Sequence, residues 1–139
     1  MINVVIDTNV FISSLKSRRG ASFKLLYEVL RNKFQQNISS TLIFEYESVA
    51  KRSEMDIKLT HHQIDTIIDM LCKWSNHCQV YFLWRPFLKD ANDDFVLELA
   101  IESNSEYIVT YNVKDFKGID KFNIKAITPK EFLIMIGEI

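Results

Sequence analysis

The chain has 139 residues, 47% apolar and 25% charged, the proportions of an ordinary folded globular protein. That length lets it bury about 70% of its extended surface, and with only 3 Gly and 2 Pro it excludes disorder, collagen-like repeats and a turn-dense β-sandwich. A formal charge of −1 excludes coating of nucleic acid by bulk charge, but leaves room for a local phosphate-binding face. In chain order, Ile2–Ile6 reads as the first strand. Asp7 interrupts this apolar run, and Lys16, Arg18 and Arg19 follow it instead of preceding it. A signal peptide has the opposite polarity, and no run of about 20 apolar residues could span a membrane, so a cytoplasmic protein is expected.

A short helix, Val10–Leu15, follows. Ser22 is expected to open a second, with the stripe Phe23, Leu25, Leu26, Val29 and Leu30. Phe34–Ile38 reads as the second strand, and Ser40 as the start of a helix over Thr41–Lys51. Thr60 and Gln63 form a capping-box pattern ahead of Ile64, Ile67, Ile68 and Leu71. Cys72 and Cys78 read as part of one helical stretch beside His77. They lack the second ligand pair of a structural zinc site, and buried reduced thiols are expected. Val80–Leu83 reads as the third strand, Tyr107–Thr110 as the fourth and Ile124–Ile127 as the fifth. Phe95–Ser103 is helical, and Thr128, Pro129 and Glu131 supply cap, first-turn proline and box partner for the last helix.

No linker, repeat or low-complexity tract interrupts this order, so residues 1–139 read as a single domain. Strands separated by helices imply parallel pairing, hence an α/β/α three-layer sandwich around a mainly parallel sheet of about five strands. In such sheets ligands bind beyond the carboxyl ends of the strands.

Acidic groups gather at those ends. Asp7-Thr8-Asn9 directly follows the first strand, where an ordinary helix cap is the simplest account of one such residue alone. Thr110-Tyr111-Asn112-Val113-Lys114-Asp115 leaves the fourth strand, where a polar Asx-turn loop is equally simple. Asp90-Ala91-Asn92-Asp93-Asp94 opens a helix, a place the helix dipole favours for acids. At about 100° per residue, Asp93 projects near the middle of the arc formed by Val96, Leu97, Leu99, Ala100 and Ile101, and Asp94 at its edge. A solvated cap has no reason to point with the core face, so Asp93 is the better site candidate. Glu45 and Glu47 flank the apolar arc of their helix on opposite sides, and periodicity does not choose between them.

Carboxylates converging on one crevice repel one another unless a cation joins them. The suitable ion is hard and divalent with oxygen ligands, Mg²⁺ or Mn²⁺, which acidifies a bound water and neutralises charge on a transferring phosphate. Phosphodiester hydrolysis is the reaction class this points to.

Taken together, Val4 to Val10, Ser40 to Glu45, Asp90 to Asp94, Thr110 to Phe116 and Thr128 to Leu133 give the chain a resemblance to PIN-domain proteins, in the subgroup of toxins from toxin–antitoxin pairs. The likeness runs from Ile2 to the final helix. Each motif is weak alone; their order and spacing are specific. The resemblance implies a divalent-metal-dependent ribonuclease with an acidic quartet, Asp7, Glu45, Asp93 and Asp115, as catalytic residues and metal ligands. It implies Asn9 and Thr110 as polar supports, and Asn112 sharing the work of Asp115. It also implies an RNA substrate cut to 5′-phosphate and 3′-hydroxyl ends, a small antitoxin partner and a homodimer. Ala91 stands where the subgroup often has proline, and Tyr111 where a smaller residue is common, which is expected to narrow the crevice mouth. Lys16, Arg18, Arg19, Lys114 and Lys117 are candidate phosphate contacts, although solvated surface is an equally good account of any one.

Three other enzyme or nucleotide-binding readings fare worse. A haloacid-dehalogenase-like phosphatase needs an Asp where Asn9 stands. A receiver domain lacks its acidic first strand end here, and a Rossmann nucleotide binder lacks its Gly-rich turn. The main alternative is a catalytically inactive PIN-like module that binds RNA or protein.

Overall fold

Val4-Val5-Ile6 shows no polar alternation, and the computed structural model, which describes residues 1–139, supplies the reason: all three are fully buried. Successive strand side chains point to opposite faces, so this strand must be covered on both. It is β1 (Asn3–Ile6), the centre of a five-stranded sheet. Around it the chain forms α1 (Thr8–Lys16), α2 (Ala21–Leu30), β2 (Gln35–Ile38), α3 (Ser40–Ala50), α4 (His61–Trp74) and β3 (Asn76–His77). It continues through α5 (Asp94–Glu102), β4 (Tyr107–Val109), β5 (Lys125–Ile127) and α6 (Pro129–Met135). The sheet order is β3-β2-β1-β4-β5 and every pair is parallel, giving an α/β/α three-layer sandwich. The order reverses at β1, whose neighbours are β2 and β4, so the switch-point crevice opens beyond β1 and β4. Ile6 pairs with Val109, which sets Asp7 and Thr110 side by side at that opening.

The core is a cluster of 29 buried apolar residues. Two aromatic pairs anchor it near the ends of the sheet: Phe11 stacks on Tyr46 at 4.4 Å, and Phe34 meets Phe132 edge-on at 5.0 Å. Full burial of one such ring stabilises the fold by roughly 1.5–3 kcal/mol. The Tyr46 hydroxyl also donates to the Ile6 carbonyl, with Gln36 Nε2 donating to that hydroxyl at 3.2 Å. This joins α3 to the end of β1.

Both expected capping boxes form, at Thr60–Gln63 and Thr128–Glu131. Other local expectations are corrected. Gly20, not Ser22, is the N-cap of α2, and Ser22 lies buried inside the helix. Ser39, not Ser40, caps α3, accepting from Leu42 N at 3.2 Å. Val80–Leu83 is not a strand. The third strand is the polar Asn76–His77, registered as Asn37 with Asn76 and Ile38 with His77, and Asn76 Nδ2 donates to Asn37 Oδ1 at 2.8 Å. Val80–Leu83 has strand composition but pairs with no strand, and only Val80 of the run packs against the core. Cys78 therefore lies past β3, outside the helix that holds Cys72, and both thiols are free and half-buried. No helix is long and apolar enough to cross a membrane.

Candidate active site

Asp7 directly follows β1 and caps α1. Its Oδ1 accepts from Thr8 N at 2.8 Å, and its Oδ2 from Thr110 Oγ1 at 2.8 Å and Asn9 Nδ2 at 3.4 Å. Thr110, fully buried at the end of β4, also accepts from Asn9 Nδ2 at 3.3 Å and from Asn112 N at 3.0 Å. Tyr111 N donates to Asn9 Oδ1 at 3.3 Å. One network thus fixes Asp7 and the start of the β4 loop together. An acid used only as a helix cap would not need the second strand.

Burial raises the Asp7 carboxyl above its ordinary range, against the opposing bonds from Thr110 and Thr8, and the charges of Glu45 and Asp115 push it further up. Asp93, half-buried, is pushed up to about 7, first by burial and then by the charges of Asp7, Asp90, Asp115 and Glu45. Glu45 and Asp115 therefore act on both Asp7 and Asp93 across the crevice. Asp90, whose own Oδ1 accepts from Asn92 N at 2.9 Å, adds a fifth negative charge that sequence reasoning did not assign. None of the quartet takes part in the chain's ion pairs.

The two glutamates of α3 separate clearly. Glu47 pairs with Lys51 at 3.1 Å, and Lys51 also holds Asp65 at 2.7 Å, tying α3 to α4. Glu45 is the one whose charge reaches Asp7 and Asp93. Asp115 sits exposed in a 3₁₀ turn, Val113–Phe116, with Asn112 just before it, also exposed.

The helical phase expected for Asp93 and Asp94 is corrected. Asp93 ends a 3₁₀ turn, Ala91–Asp93, and α5 begins only at Asp94, so the 100° periodicity cannot be projected back onto Asp93. It is Asp94 that is buried, at 1% exposure, with Oδ1 accepting from Leu88 N at 2.9 Å. Sequence reasoning also missed Tyr46, which ties α3 to β1, and Glu98, a second buried acid on α5. An acid among the apolar positions of α5 was the available signal for Glu98. Tyr111, expected to narrow the crevice mouth, has its hydroxyl hydrogen-bonded to Ser22 on α2.

No three His, Cys, Asp or Glu side chains are gathered closely enough to enclose a metal ion by themselves. The donor chemistry nevertheless suits one. The quartet is all-oxygen, mutually repelling and without a basic partner, and Mg²⁺ keeps several waters while taking only one or two carboxylates directly. Two concavities of about 460 and 270 Å³ open elsewhere, beside α2, and none of the quartet lines them. Lys16, Arg18, Arg19, Lys114 and Lys117 are all exposed, the first three at the end of α1 and the others flanking Asp115.

A family model described as PIN domain matches residues 3–114, which spans Asp7, Glu45, Asp93, Thr110 and Asn112. No curated protein matches the chain.

Proposed function

The chain belongs to the PIN-domain family, and from that membership we propose that it is a divalent-metal-dependent endoribonuclease, the toxin of a toxin–antitoxin pair. PIN domains bind nucleic acid and are generally nucleases, typically with a divalent metal. The observation that carries the reading is the buried Asp7 carboxylate, fixed between the ends of two strands by Thr8, Asn9 and Thr110 with the charges of Glu45 and Asp115 acting on it, an unfavourable arrangement for a protein with nothing to bind there.

In this reading Asp7 and Asp93 hold Mg²⁺ or Mn²⁺, with Glu45 and Asp115 joining directly or through water. The ion, when bound, supplies an acidified water and charge neutralisation for a phosphodiester. Thr110 and Asn9 keep Asp7 Oδ2 aimed while Thr8 N holds Oδ1, and Asn112 shares the work of Asp115. Tyr46 holds α3 against β1, which keeps Glu45 facing Asp7. Lys114 and Lys117 are placed to contact phosphates without reading sequence. Residues 1–139 act as one unit around the single apolar core, in the cytoplasm. A small antitoxin covers the crevice, and a second copy completes a homodimer.

The test is cleavage of a single-stranded RNA in Mn²⁺ by wild type and Asp7→Asn, with EDTA as a third arm. Metal-dependent cleavage leaving 5′-phosphate ends, lost in the variant, is the expected result. Wild-type protein that binds the RNA but leaves it whole in Mn²⁺ replaces this reading with that of an inactive binding module.

A further inference from the structure

Between β3 and the turn before α5 the chain carries the run Tyr81-Phe82-Leu83-Trp84. Tyr81 and Phe82 are 74% and 69% exposed. Apolar rings of this size normally enter a core; here the backbone beside them is held in place. Glu98, buried on α5, accepts from Trp84 N at 2.9 Å and grips Arg85 with bonds of 2.7 and 3.0 Å. One turn earlier on the same helix, Asp94 accepts from Leu88 N. Two carboxylates at i and i+4 thus clamp both ends of the segment Trp84–Leu88, one of them through charge-assisted bonds.

The rings so presented form a row. Phe82 lies 6.0 Å from Trp84, Trp84 meets Phe122 at 5.2 Å, and Phe122 meets Phe87 at 5.3 Å. Lys121 Nζ stands 4.6 Å from the Phe87 ring centre and 5.3 Å from that of Phe122. Two links tie the row to the segments that carry crevice acids. The Phe87 ring packs on Gly118, where a Cβ would lie 3.6 Å from it, three residues beyond Asp115. The amide of Leu88 is bonded to Asp94, the neighbour of Asp93.

We propose that the exposed rings of Tyr81, Phe82 and Trp84, backed by Phe122 and Phe87 and flanked by Lys121, form a stacking platform for the unpaired bases of single-stranded RNA entering the crevice. The proposal rests on the ribonuclease reading and adds to it a base-binding subsite outside the acidic quartet. Aromatic faces beside a cation suit base-and-phosphate binding, because every base has a π-face and each is linked to a phosphate. Lys121, the cation over two of the rings, matches the phosphate that accompanies each base, and that charge complementarity favours RNA over a protein occupant. Duplex RNA keeps its bases stacked on each other, so the platform selects single strands.

The experiment uses fluorescein-labelled oligouridylate, the same backbone made abasic, and a duplex, each titrated by anisotropy in EDTA. Phe82→Ala and Tyr81→Ala change exposed rings and leave the fold intact. Each is expected to weaken oligouridylate binding about tenfold, with abasic binding unchanged. The chain has two tryptophans, so in a Trp74→Phe background Trp84 emission reports stacking directly, and quenching by oligouridylate but not by the abasic strand is expected. Equal affinity of wild type and both alanine variants overturns the platform. So does a change of oligomeric state on gel filtration with RNA affinity unchanged, which marks the surface as a protein interface. Wild-type cleavage of the same oligonucleotide in Mn²⁺ is scored separately. Cleavage without base-dependent binding removes the platform and leaves the enzyme, and base-dependent binding without cleavage removes the enzyme and leaves the platform.

Discussion

Thr110 Oγ1 donates to Asp7 Oδ2 at 2.8 Å across 103 positions of sequence, so the residue after β4 holds the acid after β1 in its orientation. Thr110→Val keeps the shape and removes the donor, leaving a buried carboxylate oxygen short of its best partner. The expected cost is about 1.5–3 kcal/mol at neutral pH, the usual worth of a hydrogen bond to a charged group. Cleavage should fall about 10- to 100-fold, as for loss of a group orienting a metal ligand. Thr110→Ser should restore both, and urea denaturation with a paired RNA cleavage assay checks each. Full activity in Thr110→Val removes Thr110 from the positioning of Asp7.

Asp7→Asn tests the acid itself. Burial already places the charged form of Asp7 at a disadvantage despite three hydrogen bonds. A neutral amide of the same shape relieves that disadvantage, so the metal-free protein should gain stability in EDTA while cleavage falls by more than about 100-fold. If Asp7 were only a helix cap, Asn would serve as well, with stability and activity both unchanged.

Asp93 and Asp94 should part company in the same assays. Asp93→Asn is expected to abolish cleavage and the rise in melting temperature on adding Mn²⁺. Asp94→Asn keeps an acceptor for Leu88 N and should keep most of the activity. Asp94→Ala strands that buried N–H and should cost about 1–3 kcal/mol. A fully active Asp93→Asn enzyme would reject the assignment of Asp93.

What the sequence made legible follows from how local each signal is. The capping boxes at Thr60 and Thr128 and the β-branched run Val4–Ile6 are decided by their own few residues, and all three appear where expected. Val80–Leu83 was misread because strand composition says nothing about whether a neighbouring strand exists to accept it. Asp93 and Asp94 were assigned the wrong phase because a 3₁₀ turn precedes α5, and no residue in Asp90–Asp94 marks where one helix type gives way to the other. Periodicity left Glu45 and Glu47 equivalent. They differ through Lys51 and Asp65, a pairing with α4 that only the packing of two helices creates.

The pH dependence of stability separates the crevice from the rest of the molecule. Asp93 is protonated up to about 7 in the folded chain, against an ordinary 3.8. Between those values the native state binds more protons than the unfolded state, so metal-free stability should fall as pH rises from about 4 to 7. Asp7, raised mainly by burial, acts in the same direction. Glu28 acts in the opposite one. Burial alone would raise it, but Lys24 and Arg31, at 3.0 and 3.1 Å, outweigh that and hold its carboxyl below the ordinary 4.5. Its contribution is complete above that value and is lost as pH falls through the lower native one, so it acts in a different window. Urea midpoints in EDTA from pH 3 to 8 should therefore pass through a maximum on the acid side of neutrality. Asp93→Asn should flatten the descending limb, keeping the residue due to Asp7, and Glu28→Gln should flatten the ascending one. Saturating Mn²⁺ should reverse the descending limb, because ion binding requires the ionised carboxylates. A descending limb of the same slope in wild type and Asp93→Asn would mean that the folded chain does not raise the Asp93 carboxyl.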